Sequence, residues 1–237
     1  MENLNNKQNE DLSNPPRLIA KFGRQEHIKM LQAGKLYMKP WGWFKHCEEN
    51  KERKDSNEGT HIWLNPDVTN ILIAGQRLTR KGGTVSGSIS FENKRIRIFC
   101  ASAIWNGYKS EVGGELFNPV VFNLGTHYLI ITNIKAFYER VRISLREENS
   151  KGIIDGFKAQ GVEYFNEESY DGPVGLFRKS FKYKHQREWR LAIRKVLDDD
   201  EPYILNIGSI KDISVIGETK TFKNKIKRGS DNILTIS

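Results

Sequence analysis

The chain has 237 residues, of which 38% are hydrophobic, and a mean hydropathy of −0.60. That length supports one large domain or two small ones with a sizeable core, and no apolar run approaches the roughly 20 residues that a membrane-spanning helix needs. A formal net charge of +9 and a pI of about 9.4 favour polyanionic partners and exclude an acidic, self-solvating chain.

Residues 1–16 are polar, Asn-rich and closed by Pro15-Pro16, so they read as a disordered arm without the apolar stretch of a secretory signal. Residues 17–237 read as one domain. Arg17–Phe22 has the pattern of a first strand, interrupted by Gly23. Arg24–Ala33 has helical spacing through Ile28 and Leu31, with Gly34 at the C-cap. Leu36–Lys39 is a short strand, Trp41–Glu49 an aromatic turn or short helix, and Lys51–Gly59 a charged loop. His61–Ser102 alternates short β-like runs with turn signals at Asn65-Pro66, Gly82-Gly83 and Glu92-Asn93, ending in a strand over Lys94–Ser102. Ile96, Ile98 and Cys100 fall on one face of that strand. Ile104–Asn118 is irregular, with a weak loop signal at Gly113-Gly114. Tyr128–Thr132 is a strand, and Asn133 caps a helix to about Glu148 with Ile134, Phe137, Val141 and Leu145 on one stripe. Strand-like runs at Gly161–Phe165 and Tyr203–Ile207 flank a strand around Gln186–Ile193, the acidic run Asp198–Glu201 is a turn, and Ile210–Ile216 closes the sheet. The sum is an α+β chain, mainly antiparallel, with a few short helices.

Within the strand around Gln186–Ile193, period-two geometry puts Gln186, Glu188 and Arg190 on one face and Trp189, Leu191 and Ile193 on the other. An amide, a carboxylate and a guanidinium in a row, backed by bulky apolar anchors, form a rigid polar constellation. They equally form a solvated polar face, with Arg190 as a salt bridge steadying Glu188. Basic residues cluster at Arg77–Lys81, Lys94–Arg97, Arg178–Lys184 and Lys220–Arg228, with Phe177, Phe181 and Tyr183 interleaved; this is a nucleic-acid-binding pattern or a solvated basic surface. Other chemistries are excluded. The five histidines lack metal-ligand spacing, so no metal site is expected, and neither a phosphate-loop nor a Gly-x-Ser-x-Gly motif occurs. Cys47 and Cys100 point to a reducing cytoplasm rather than a disulfide, and Cys100 reads as a core residue.

Three ordered segments carry a resemblance. They are Leu18-Ile19-Ala20-Lys21-Phe22-Gly23 through Leu36-Tyr37-Met38-Lys39, then Phe99-Cys100-Ala101-Ser102, then Gln186-Arg187-Glu188 between Phe177-Arg178-Lys179-Ser180-Phe181 and Trp189-Arg190. In this order they resemble ADP-ribosyltransferase-fold proteins of the Gln-x-Glu type, especially bacterial toxins and phage-defence effectors. The resemblance implies a split antiparallel sheet and NAD as co-substrate. It implies Glu188 as the carboxylate that stabilises a ribosyl oxocarbenium, Gln186 as the group that orients the acceptor, and Ser102 as a positioning partner of Glu188. Lys21, Arg17 or Arg24 would hold the pyrophosphate and Gly23 would admit it closely. Tyr37 or Phe44 would stack the nicotinamide, although these rings and Trp43 also read as core aromatics. Lys21-Phe22 stands where the family has an Arg or a His-Tyr pair. The implied partners are a nucleic acid, RNA or single-stranded DNA, and an antitoxin protein, with no membrane. The competing expectation is a non-catalytic basic nucleic-acid-binding or phage-sensing module on the same scaffold. A metal-free nuclease using His185 with Glu188 is disfavoured, because a regular strand puts the two on opposite faces. On the transferase expectation, Glu188→Gln abolishes transfer and leaves folding nearly intact.

Overall fold

A computed structural model describes residues 10–11, 15–47, 51–65, 72–73, 76–77, 94–105, 116–222, 226–228 and 234–236. Nine strands join one sheet: β1 (Glu10–Asp11), β2 (Leu18–Gly23), β3 (Lys35–Pro40), β4 (Ile96–Ile104), β5 (His127–Ile131), β6 (Ile154–Gly161), β7 (Glu188–Lys195), β8 (Tyr203–Asn206) and β9 (Ser214–Glu218). Their order is β1-β6-β7-β4-β2-β5-β9, with β8 paired to β3 and β3 to β4. Every pairing is antiparallel except that of β1 with β6. The expected α+β class with a mainly antiparallel sheet is therefore observed. No helix among the described residues is long and apolar enough to cross a membrane.

The sheet forks at β4. One edge of β4 pairs continuously with β7, from Ser102 opposite Glu188 to Ile96 opposite Arg194. The other edge is divided: β3 takes Arg97 and Ile98, while β2 takes Ser102, Ala103 and Ile104. Phe99–Ala101 thus lie where two strands diverge. Helix α1 (Gln25–Gln32) makes that divergence possible, since it connects β2 to β3 and buries Ile28 and Leu31 against the sheet. Its C-terminus is stopped by Gly34 at φ +86°, where an added Cβ would lie 1.8 Å from the Gly208 carbonyl oxygen. Gly34→Ala is expected to lose about 3 kcal/mol in urea denaturation, from left-handed strain plus backbone displacement. A loss below about 1 kcal/mol would mean that the 208 turn yields freely.

Helix α2 (Ile134–Ser150) is capped as expected, with Asn133 Oδ1 accepting the Ala136 amide at 3.0 Å. It buries Phe137, Val141 and Leu145 in the cluster that holds Trp189, Leu191 and Ile193, with Ile134 packed at its margin. On the other side of β2, Leu18, Ala20 and Phe22 pack with Phe117, Val121 and Phe222. A third cluster joins Trp41, Ile96, Ile98 and Ala192.

Three expectations need correction. One neighbour of β7 is β6, which begins at Ile154 and reaches only as far as Gly161, opposite Trp189; Glu163–Phe165 turns away and pairs with Arg178–Ser180. A register shift opposite Arg194 and Lys195 breaks the alternation at the start of β6 and hides it in the sequence. Tyr203–Asn206 pairs with β3, not with the Glu188 strand. Gln186 is not on a strand: it ends a 3-10 turn (Phe181–Gln186), and Arg187, at φ +47°, separates it from β7. Of the segment expected to be a disordered arm, Glu10–Asp11 pairs with β6; residues 1–9 and 12–14 lie outside the described residues. The turn signals at Gly82-Gly83, Glu92-Asn93 and Gly113-Gly114 also lie outside them.

Candidate functional site

The fork opens a pocket of about 450 Å³. Lys21, Phe22, Gly23, Tyr37, Phe44, Ser102, Gln186, Glu188 and Arg190, all named from sequence, line it together with Arg24. Arg17 is not part of the lining; it caps the ladder, donating its backbone amide to the Ile104 carbonyl at 2.7 Å. Phe22 needs a correction of role. Alternation along β2 sends its ring to the opposite side, against Phe117, Phe122 and Phe222, so a ligand meets its backbone rather than a stacking face.

Glu188 sits 5% exposed at the start of β7, directly opposite Ser102. Arg190 Nε donates to its Oε1 at 2.8 Å and Lys179 Nζ to its Oε2 at 3.0 Å. The Glu188 backbone amide donates to Tyr164 Oη at 2.8 Å. Burial alone would raise the carboxyl, but Arg190 and then Lys179 outweigh it and hold Glu188 below the usual carboxylate range. Lys179 also donates to Gln186 Oε1 at 3.1 Å, and Gln186 Nε2 donates to the Glu52 carbonyl at 2.6 Å. Gln186 and Glu188 thus converge on one ammonium although they do not share a strand. The left-handed Arg187 makes this possible, at about 1 kcal/mol for a residue with a Cβ. Strain of this kind concentrates at functional sites.

The loop expected over Lys51–Gly59 is more than a connector. It delivers Asp55 and Glu58 into the interior, at 2% and 6% exposure. Glu58 accepts from Arg190 Nη1 and Nη2 at 2.8 and 3.1 Å and from Trp41 Nε1 at 2.5 Å. Asp55 Oδ2 lies 3.8 Å from Lys179 Nζ, and burial pushes its carboxyl up to about 6 against the pull of that lysine. Buried Lys179, Glu58 and Asp55 were missed in sequence because each lies in a hydrophilic run. Only the spacing of Lys179 within Phe177-Arg178-Lys179-Ser180-Phe181, between aromatics, hinted at an inward lysine. Cys100 packs against the Trp41 cluster, as expected of a core residue, and also reaches the site. Burial followed by the Glu188 charge pushes its thiol well up, which keeps it protonated and poorly nucleophilic.

The remaining lining mixes cationic and aromatic side chains with aliphatic ones such as Ile28, Met30, Leu31 and Leu124. Lys21, Arg24, Lys35 and Lys39 face the pocket, and none makes an ion pair among the described residues. Lys39 Nζ lies 4.3 Å from the Trp43 ring centroid and 5.4 Å from that of Tyr37, and Trp43 meets Phe44 edge-on. Lys21 Nζ donates to the Cys100 carbonyl at 2.5 Å inside the fork and lies over the Phe99 ring at 5.0 Å. Burial pushes its amine down to about 8. Folding therefore disfavours its charged form, and stability rises as the pH passes from 8 to 10.5. Lys21→Met is expected to melt higher than wild type at pH 7, by an amount worth about 1–2 kcal/mol, with the gap closing by pH 10.5. A gap that does not vary with pH would show that Lys21 carries no desolvation penalty.

The basic clusters behave differently from expectation. Lys94, Arg95 and Arg97 pair with Asp200, Asp155 and Asp199, so the second cluster clasps the Asp198–Glu201 turn. In the third, Lys179 is buried, Arg178 pairs with Glu163 and Lys182 with Glu167. Phe181 is exposed, with Lys184 Nζ 4.7 Å from its ring centroid. Lys220 pairs with Glu218; residues 78–81 and 223–225 lie outside the described residues. No family model, no curated protein and no solved structure matches this chain.

Proposed function

We propose that the pocket binds NAD as co-substrate and that the protein transfers ADP-ribose to an acceptor, with nucleic acid, RNA foremost, as the acceptor class. The observation that carries this reading is the position of Glu188: a buried, ionised carboxylate at a sheet fork, in a pocket whose walls also present aromatic rings and cations that make no ion pair among the described residues. Lys21 and Arg24 suit a pyrophosphate, Gly23 suits its close approach, and Tyr37 or Phe44 suits a flat heterocycle.

In the proposed reaction the bond between nicotinamide nitrogen and ribose C1′ breaks, its electron pair leaving with neutral nicotinamide. Positive charge develops on the ribose ring, and Glu188, accepting a hydrogen bond from the 2′-hydroxyl, stabilises that state more than the ground state. The acceptor nucleophile, oriented by Gln186, adds to C1′ and gives up its proton. A ribose hydroxyl must exchange with Lys179 on Glu188 Oε2, since Oε1 is held by Arg190.

One observation favours a second reading. Both Glu188 oxygens are already occupied by cations, as they would be in a non-catalytic, basic nucleic-acid-binding module on a transferase-like scaffold. Incubation with labelled NAD and separate pools of RNA, single-stranded DNA, duplex DNA and protein separates the two. Label in one pool with wild type and not with Glu188→Gln supports transfer and names the acceptor. Salt-sensitive nucleic-acid binding with no label in any pool supports the module. As a toxin or phage-defence effector the protein would be held by an antitoxin, and co-expression with such a partner would relieve growth arrest caused by the wild type alone.

A further inference from the structure

Four of the five donors of the Arg190 guanidinium make hydrogen bonds, and Nη2 also lies in ion-pair contact with Glu188. Nε and Nη2 meet Glu188 Oε1 at 2.8 and 2.7 Å. Nη1 and Nη2 donate to the two oxygens of Glu58, and Nη1 also reaches the Leu176 carbonyl at 2.5 Å. Glu58 is fixed in turn by the indole Nε1–H of Trp41, on a different element. The guanidinium is therefore locked in a plane in which it grips one Glu188 oxygen only. The other oxygen is left to Lys179, a flexible ammonium that Gln186 and Asp55 share.

We infer that Glu58 is a positioning residue for Glu188, acting through Arg190. By occupying the outer edge of the guanidinium, Glu58 prevents Arg190 from swinging round to take both Glu188 oxygens in the bidentate geometry that arginine and carboxylate favour. Oε2 stays turned toward Lys179 and the pocket, where a ligand hydroxyl can displace an ammonium more readily than a two-point guanidinium clamp. Asp55 Oδ2 lies 3.8 Å from Lys179 Nζ, and among the described residues Glu58 and Glu188 are the carboxylates that pair with Arg190. The kinetic consequence rests on the transferase reading proposed above; the geometric one does not.

Glu58→Gln tests it. The amide keeps the shape of Glu58 but sets an N–H against an Arg190 N–H and removes the balancing charge. In protein labelled with 15N-arginine, the Arg190 Nε–H of the wild type should exchange slowly with solvent. In Glu58→Gln it should exchange at least roughly tenfold faster as the guanidinium is released. The same variant should lose about 10²-fold in kcat, with KM for NAD changed by less than about twofold, because the misplaced group acts in the transition state. Glu58→Asp, which retains the charge, should recover part of both effects. Unchanged Nε–H exchange in Glu58→Gln would overturn the inference whatever the activity. Faster exchange in a protein whose wild type turns over no NAD would sink the transferase reading while supporting the positioning of Glu188. If Glu58→Gln does not fold, Trp41→Phe removes the donor that orients Glu58, together with part of a buried ring, and leaves the charge of Glu58 in place. Faster Arg190 exchange in that variant supports the inference, and unchanged exchange overturns it.

Discussion

Glu188→Gln is expected to remove about 3 kcal/mol of stability and, on the transferase reading proposed above, to lower ADP-ribose transfer by about 10³-fold. The sequence alone suggests a variant that keeps its fold, because a polar strand face tolerates an isosteric amide. The structure changes that expectation. Glu188 supplies the nearest anion to buried Lys179 and one of the two carboxylates on buried Arg190. A glutamine amide can still accept from Arg190, but its NH2 then faces the Lys179 ammonium, donor against donor. For a chain of this length the loss corresponds to a melting temperature about 6–12 °C lower. The pH dependence separates this from a generic defect. Because Glu188 is held below the usual carboxylate range, its contribution is complete above the unfolded value of 4.5 and fades as the pH falls below that. Asp55 works in the opposite sense: raised to about 6, it lets the folded state gain stability as the pH falls from 6 toward 3.8. The deficit of Glu188→Gln should thus be full at pH 7 and shrink at pH 3. Melting within about 2 °C of wild type at pH 7 would mean that the ion cluster contributes little. Activity comparisons with this variant belong well below its melting temperature.

Local patterns made the elements readable. Period-two alternation located β2, β4 and β7, and Asn133 and Gly34 marked helix ends because each satisfies or releases a specific backbone group. Strand neighbours were less readable: β8 pairing with β3, and β6 starting before its alternation becomes regular, depend on long-range register that no local pattern encodes. In the site, Lys21, Gly23, Tyr37, Ser102, Glu188 and Arg190 reach the pocket because they sit on the four strands that meet at the fork, whereas Gln186 and Phe44 arrive on 3-10 turns. The countercharges did not show. Glu58 and Asp55 lie in a run of charged and small polar residues whose composition signals a solvated loop, yet the loop folds inward because two buried cations need anions. The same reasoning accounts for the basic clusters. A count of lysines and arginines registers charge, but Arg97, at 0% exposure, is a structural clasp for the Asp199 turn and offers no surface to a phosphate.

Arg190→Met should be the most destabilising substitution in the molecule's interior polar cluster, at about 4–5 kcal/mol. It leaves Glu58 and Glu188 buried with Lys179 as a cation that interacts with both, and Trp41 as the one remaining donor among the described side chains on Glu58. Uncompensated burial of a carboxylate is far more unfavourable than the loss of a pair whose members leave together. Arg190→Met combined with Glu58→Leu removes one cation and one anion, and retains the Glu188–Lys179 pair intact. The double variant should recover at least half of the stability lost in Arg190→Met, although Glu58→Leu alone costs about 3 kcal/mol. Urea denaturation of the four proteins measures the coupling. Losses that add to within about 0.5 kcal/mol would show that Arg190 and Glu58 act independently and would refute the linked cluster. Recovered stability should not bring back transfer. With the guanidinium gone, Glu188 loses its clamp on Oε1 and keeps only the Lys179 and Cys100 contacts among the described residues, so the carboxylate can rotate onto Lys179 through either oxygen. A stable and inactive double variant would place the role of Arg190 in holding Glu188 for catalysis, apart from its role in holding the fold.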